Sequence, residues 1–191
     1  MSALDEGLSR LYLNLVNTGL PVFVGGSVAA MWYGEPRSTL DIDVVIRASR
    51  EDAERIVSAF PPEAFYVPPL EVIRAELGLK RGGQFNVLDL ASGLKADVYV
   101  AGDDPLIAYG FEGATPEQVE GVTLNIAPAT YVVAMKLRFF SISKQDKLLR
   151  DIRSLLAISP ESVDFEWVRT WAESFGVANM WEECQRRRGE E

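Results

Sequence analysis

Residues 22–46 read VFVGGSVAAMWYGEPRSTLDIDVVI, and this stretch sets out a strand, a tight turn, a helix and a second strand. The apolar run at 21–24 suits a short buried strand, and Gly25-Gly26-Ser27 suits a turn. VAAMWY then begins a helix that Gly34 and Pro36 close. In the second strand, DIDVVI at 41–46, side chains two residues apart share a face and lie about 7 Å apart. Asp41 and Asp43 therefore project together, while Ile42 and Val44 face the core.

Upstream, Leu4, Leu8, Leu11 and Leu15 recur at helical spacing, which predicts an opening helix from about Ala3 to Val16 that stops at Thr18-Gly19. Downstream, Ser49 with Glu51 and Asp52 begins a helix that runs to Phe60 and ends at Pro61-Pro62. Leu70 to Leu79 reads as a helix ending at Gly82-Gly83. QFNVLDL and LKADVYV then flank Ala91-Ser92-Gly93 as two strands of a hairpin. A short helix is expected over 103–111, a strand at VTLNI (122–126), and one or two helices from Pro128 to about Leu156 with a break near 141–143. From Glu161 onward the chain reads as helical and carries tryptophan. The pattern predicts an α/β (α+β) core over residues 1–127, with a helical C-terminal part over 128–191 packed on it.

Composition narrows the chemistry. The 191 residues contain no histidine, which removes the usual general base at neutral pH and the commonest zinc ligand. Serine-histidine hydrolases and ordinary zinc hydrolases are excluded, leaving carboxylates, amines, hydroxyls and hard metal ions. A formal charge of −9 opposes a broad phosphate-binding surface. The single cysteine, Cys184, forms no internal disulfide, no apolar run reaches the ~20 residues of a membrane span, and the opening MSALDEGLSR has no secretory pattern. A cytoplasmic protein without a membrane segment is expected.

In LKADVYV the apolar side chains Leu94, Ala96, Val98 and Val100 alternate with Lys95, Asp97 and Tyr99, so Asp97 lies on the polar face and can join Asp41 and Asp43. Asp89, on the partner strand of the hairpin, is the second candidate for that position. Carboxylates about 4 Å apart repel by roughly 4 kcal/mol at an effective dielectric of 20, a cost that a divalent cation reverses. Three clustered acids therefore point to magnesium. Taken singly, each Asp also fits a solvated strand face.

Gly25 and Gly26 lack β-carbons where strand meets helix, which allows backbone N–H groups and the helix N-terminus to approach a phosphate, with the Ser27 hydroxyl beside them. A purely structural turn fits the same three residues. The dinucleotide fingerprint and the Gly-Lys-Ser/Thr phosphate loop are both absent.

Together these residues resemble the DNA polymerase β-like nucleotidyltransferase superfamily, which pairs a Gly-Gly/Ser turn with Asp-x-Asp and a third acid, here matched by Asp97 in LKADVYV. Arg37-x-Thr39-x-Asp41-x-Asp43 is similar to the variant in bacterial toxin-type members, the AbiEii and MenT group, and more distantly to tRNA nucleotidyltransferases. AMKLRFFSISKQDKLLRDI (134–152) resembles the helical segment in which toxin-type members place a triphosphate-binding lysine, matched here by Lys136. The chain departs from that segment: it reads Asp146-Lys147 where Lys-Asp is expected, with Leu148 at the position of the acid. Asp146 and Asp151 are therefore not assigned catalytic roles. The competing reading of this segment is a solvated basic face on packed helices.

The resemblance implies a nucleotidyltransferase fold, with a mixed sheet flanked by helices, and transfer of a nucleoside monophosphate from a nucleoside triphosphate to an acceptor. Asp41, Asp43 and Asp97 would hold two magnesium ions, Asp97 would activate the acceptor, Gly25, Gly26 and Ser27 would seat the triphosphate, and Lys136 and Arg37 would neutralise it. RNA or tRNA is the acceptor in a toxin reading, where a cognate antitoxin protein is the expected partner; the basic cluster over 136–153 fits it, and the resemblance in both segments favours it slightly. An aminoglycoside-like small molecule suits the acidic charge. A catalytically altered nucleotide- or partner-binding module is the non-enzymatic reading. Trp167, Trp171 and Trp181 read either as core or as a docking surface.

Overall fold

Helix α1 (Glu6–Asn17) opens the part of the chain described by the computed structural model, residues 6–188. Its apolar spacing does what it predicts: Leu8, Leu11, Tyr12 and Leu15 are buried, and the helix lies across strands formed later in the chain. Ala3 and Leu4, also expected in this helix, lie outside the described residues.

The strand–turn–helix–strand unit follows as β1 (Val22–Val24), α2 (Gly26–Tyr33) and β2 (Asp41–Ile46). A 3₁₀ turn at Arg50–Asp52 then leads into α3 (Ala53–Ser58). Ser49 and Asp52 cap the turn reciprocally, the Ser49 N–H donating to Asp52 Oδ2 at 2.9 Å. Next come β3 (Phe65–Tyr66), α4 (Leu70–Leu77), β4 (Gln84–Asp89) and β5 (Lys95–Val100). Helix α5 (Pro105–Gly113) has Pro105 in its first turn and Asp104 as N-cap, the Asp104 carboxylate accepting from the Leu106 N–H. After β6 (Thr115–Val119) and β7 (Val122–Ile126) the chain is helical: α6 (Ala129–Ser143), α7 (Asp146–Ile158), α8 (Phe165–Ser174) and α9 (Ala178–Arg186).

The strands form one seven-stranded mixed sheet in the order β3-β4-β5-β2-β1-β7-β6. β2 is antiparallel to β1 and parallel to β5, while β4 and β5 form the expected antiparallel hairpin. β1 and β7 run parallel, and β7 leads directly into α6. Helix α6 packs against α2, α5, α7 and α8, which brings the C-terminal half of the chain over the turn that starts α2. The break expected near 141–143 falls at Lys144, whose left-handed conformation (φ 55°) ends α6.

β6 and β3 depart from the sequence reading, which contains neither. β6 carries Pro116 and no fully buried side chain, so it shows no hydrophobic alternation; it is a strand because it pairs with β7 across the Glu120-Gly121 turn. Trp181 is fully buried, whereas Trp167 and Trp171 are half-buried in a row of rings that begins with Tyr109 stacked on Trp167 at 4.1 Å. Among the described residues, no helix is long and apolar enough to cross a membrane.

Candidate active site

The C-terminal end of β1, the start of α2 and the polar face of β2 and β5 make one wall of a cleft of about 310 Å³, and α6 and α7 make the opposite wall. Gly25, Gly26, Ser27, Arg37, Asp41, Asp43, Asp97 and Lys136 all line it. The eight positions singled out in the sequence are thus gathered in one space. Asp89 is not there. It is buried at the end of β4, where its carboxylate accepts from Arg10 at 2.7 and 3.0 Å and from the Ala91 and Ser92 N–H groups. Burial would raise its pKa, but the Arg10 hydrogen bond and these backbone bonds outweigh that and hold the carboxyl below its ordinary value. Asp89 ties α1 to the hairpin and does not line the cleft, so Asp97, not Asp89, is the third acid there.

The glycine turn is shaped by Asp43. Gly26 adopts φ 54°, and a β-carbon there would collide with the Asp43 carboxylate, so only glycine allows this approach. The Gly25 N–H donates to the Asp43 carbonyl at 2.9 Å, and the Ser27 N–H points at Asp43 Oδ2 at 3.4 Å. The Gly25 amide is therefore committed within the protein, and helix α2 begins directly above the acid pair.

Parallel pairing of β2 with β5 sets Asp43 beside Asp97 and Asp41 beside Lys95, giving a two-by-two grid on one face of the sheet. Asp43 is half-buried beneath the start of α2, and Asp97 beside it is buried. Desolvation, followed by repulsion from Asp41 and then Asp97, pushes the Asp43 carboxyl above the ordinary range. Lys95 Nζ donates to both Asp97 oxygens at 2.7 Å and stands 3.9 Å from Asp41. Burial would lower the Lys95 pKa, but the Asp97 bond and the charges of Asp97, Asp41 and Asp43 outweigh it and keep the ammonium charged. Asn86, opposite Asp97 on β4, donates to Asp97 Oδ1 at 2.8 Å when its amide nitrogen faces the acid.

Across the cleft, Lys136 is buried in the middle of α6 and donates to Asp151 of α7 at 2.6 Å. Arg37 reaches the same carboxylate through Nε and Nη2 at 3.3 and 3.2 Å, and its Nη2 also donates to the Ser27 hydroxyl at 2.8 Å. Burial would raise the Asp151 pKa, but the Lys136 charge and hydrogen bond, joined by Arg37, hold the carboxyl below its usual value. The sequence assigns Asp151 no role, because the segment around it departs from the expected pattern at 146–148. The place of Asp151 shows only in the tertiary contacts with Lys136 and Arg37. Lys95 was missed as well, although its place on the polar face was legible. Tyr99, Tyr131, Met135 and Phe139 complete the walls with aromatic and apolar surface.

The donors at Asp41 and Asp43 are hard carboxylate oxygens, and the lining contains no thiolate or imidazole, a set suited to magnesium rather than zinc. Burial first, then repulsion from Asp41 and Asp97, raises the Asp43 pKa, a cost that a bound cation would offset. Among the described residues, no three acidic side chains are gathered tightly enough to hold an ion together; at Asp97 the Lys95 ammonium stands instead.

No protein-family profile matches the sequence, and no curated protein matches it. Solved structures do match over nearly the whole chain. A solution structure of the antibiotic-resistance factor ANT(2'')-Ia superposes with a TM-score of 0.58 at 14% identity, covering 93% of this chain and 94% of that one. The crystal structure of ANT(2'')-Ia with adenylyl-2''-tobramycin gives 0.59 at 17% identity, over 87% and 93% of the two chains. An antigenic nucleotidyltransferase-like protein from Paracoccidioides brasiliensis gives 0.51 at 14% identity, over 96% and 94%. The chain therefore has the nucleotidyltransferase fold, as the resemblance of its turn and acids implies.

Proposed function

We propose that the protein transfers a nucleoside monophosphate from a nucleoside triphosphate to an acceptor hydroxyl, releasing pyrophosphate. One observation carries this reading: the Asp41, Asp43 and Asp97 carboxylates share a cleft with the glycine turn and with two cations, Lys136 and Arg37, on a fold common to nucleotidyltransferases. Magnesium held by the acid grid would supply Lewis-acid polarisation of the α-phosphate and offset its charge.

The chain's own residues do the rest. The start of α2 at Gly26 and Ser27 directs its partial positive charge at the triphosphate. Arg37, fixed between Ser27 and Asp151, holds a guanidinium at the same place, and Lys136 neutralises phosphate from the opposite wall. Asp97 orients the acceptor hydroxyl and takes its proton on a carboxylate oxygen as the new bond to the α-phosphorus forms and the bond to pyrophosphate breaks. The neutral Tyr99 phenol, its pKa raised by burial and then by Asp43 and Asp97, lines the acid side of the cleft.

The acceptor is a small, cationic hydroxyl compound of the aminoglycoside kind. The basic cluster that would favour RNA is partly internal: Lys136 is consumed by Asp151, Arg138 pairs with Asp104, and Arg153 is buried. What remains is a protein of charge −9, which attracts cations and repels polyanions. A toxin acting on tRNA, with an antitoxin partner, is the second reading, and exposed Lys144, Lys147 and Arg150 on α6 and α7 favour it.

Incubation of the purified protein with each α-labelled triphosphate, magnesium, and either an aminoglycoside panel or total tRNA tests both. Label is expected in an aminoglycoside. Label in tRNA selects the toxin reading, and binding of triphosphate without transfer to either pool sinks the enzymatic one. Asp43→Asn should abolish transfer in either case.

A further inference from the structure

Enzymes of two-metal type place both ions among their carboxylates, and three acids on one sheet face lead to the same expectation here. The grid contains a fourth charged member. Lys95 is the direct strand neighbour of Asp41 and sits two residues before Asp97 on the same face, so strand geometry alone places its ammonium among the acids. The ammonium bridges both oxygens of Asp97 at 2.7 Å and stands 3.9 Å from Asp41. Asn86 takes up Asp97 from the next strand at 2.8 Å, so that carboxylate is engaged on two sides within the protein.

We propose that the Lys95 ammonium takes the place of one of the two divalent ions, so that the site binds a single ion, held by Asp41 and Asp43. This rests on the nucleotidyltransferase reading and deepens it. Three carboxylates and one ammonium carry two net negative charges, which one divalent cation balances. A second dication at Asp97 would have to expel an ammonium that makes two short hydrogen bonds there, or lie against a like charge. Among the described residues no ammonium hydrogen-bonds to the Asp41–Asp43 pair: Thr39 donates to Asp41 Oδ1 at 2.9 Å, Asp43 is approached by the Ser27 N–H at 3.4 Å and by the neutral Tyr99 phenol, and Lys95 stays 3.9 Å from Asp41. In this arrangement Lys95 is a positioning residue. It holds Asp97 beside the acid pair and supplies the positive charge that the second ion would otherwise bring.

The test counts ions. Manganese is titrated into the purified full-length protein, and free Mn²⁺ is read by electron paramagnetic resonance. One ion per chain is expected for the wild type and two for Lys95→Met. Two ions in the wild type, or one in both proteins, overturns the proposal and leaves the nucleotidyltransferase reading standing. No bound ion in the wild type sinks that reading and the proposal with it. Acylation of Lys95 by an amine-reactive ester, measured by mass spectrometry, is a second readout that needs no variant. Reactivity unchanged by saturating Mn²⁺ supports a retained ammonium, and a several-fold rise on ion binding overturns it.

Discussion

Gly26 lies so close under Asp43 that the carboxylate occupies the space a β-carbon on the glycine would fill. The turn and the acid pair are 17 residues apart in sequence and form one structural unit, since Ser27 and Gly25 also bond to Asp43 through their backbone. Gly26→Ala should therefore damage stability and activity together. The left-handed conformation costs a non-glycine residue about 1–2 kcal/mol, and at this chain length each kcal/mol lowers the melting temperature by roughly 2–4 °C. Displacement of Asp43 adds to that. Thermal melting and pyrophosphate release measure the two effects, and a variant with wild-type activity would show that the contact is dispensable.

Burial and two like charges raise the Asp43 carboxyl above its ordinary range, so ionising it strains the ion-free protein, and Asp43→Asn removes that strain. A folded-state pKa above the ordinary 3.8 means that the protein is most stable, with respect to this group, below the unfolded value and loses stability as pH rises through the folded value. In a chelator at pH 7 the variant should melt above the wild type, with the gap closing as the pH approaches 4. Its transferase activity should be absent. A variant that melts below the wild type at neutral pH would contradict the strain.

Asp151 has the opposite sign. Its carboxyl is held below its ordinary value, so its contribution to stability is full above that value, 3.8, and is lost as pH falls through the folded value. Asp151→Asn leaves Lys136 buried without its counter-charge, for which a loss of about 3 kcal/mol is expected at pH 7. The difference should vanish in acid. Arg37 and Lys136 also lose their common anchor, and KM for the triphosphate should rise about tenfold, the equivalent of ~1.4 kcal/mol of binding. Steady-state kinetics with an unchanged KM would separate Asp151 from triphosphate binding.

Trp181 is wholly buried against Phe165, with ring centroids 5.5 Å apart, far from the acid grid in the chain and absent from the cleft. Trp181→Ala should cost about 3–5 kcal/mol through the cavity it leaves. Differential scanning calorimetry reads that loss, while KM measured well below the new melting point should be unchanged. A shifted KM would mean that α9 acts on the site.

The elements that carry the cleft were legible where the relevant interactions are local. Alternation in DIDVVI and LKADVYV placed Asp41, Asp43 and Asp97 on polar faces, because a strand's two-residue period is written into its own side chains. Helix α1 shows itself through 3.6-residue spacing, and α4, α6 and α7 through their start and stop residues. β6 showed nothing, since an edge strand with Pro116 and no buried residue has no period to read, and β3 is too short to have one. Asp89, second to Asp97 in the sequence reading, lies on the buried face of β4 with Phe85 and Val87, where Arg10, 79 residues away, and the Ala91 and Ser92 N–H groups engage its carboxylate.

By itself, then, the sequence determined the strands β1, β2, β4, β5 and β7, most of the helices, the absence of imidazole chemistry, and the faces on which three acids lie, because each follows from residue type and short-range pattern. The tertiary structure alone decided that β2 and β5 run side by side in parallel, with Asp43 against Asp97 and Lys95 against Asp41. It also decided that α6 and α7 close the cleft with Lys136 and Asp151. Strand order and helix docking are settled by burial of apolar faces between segments far apart in the chain, and no local pattern records which of them will meet.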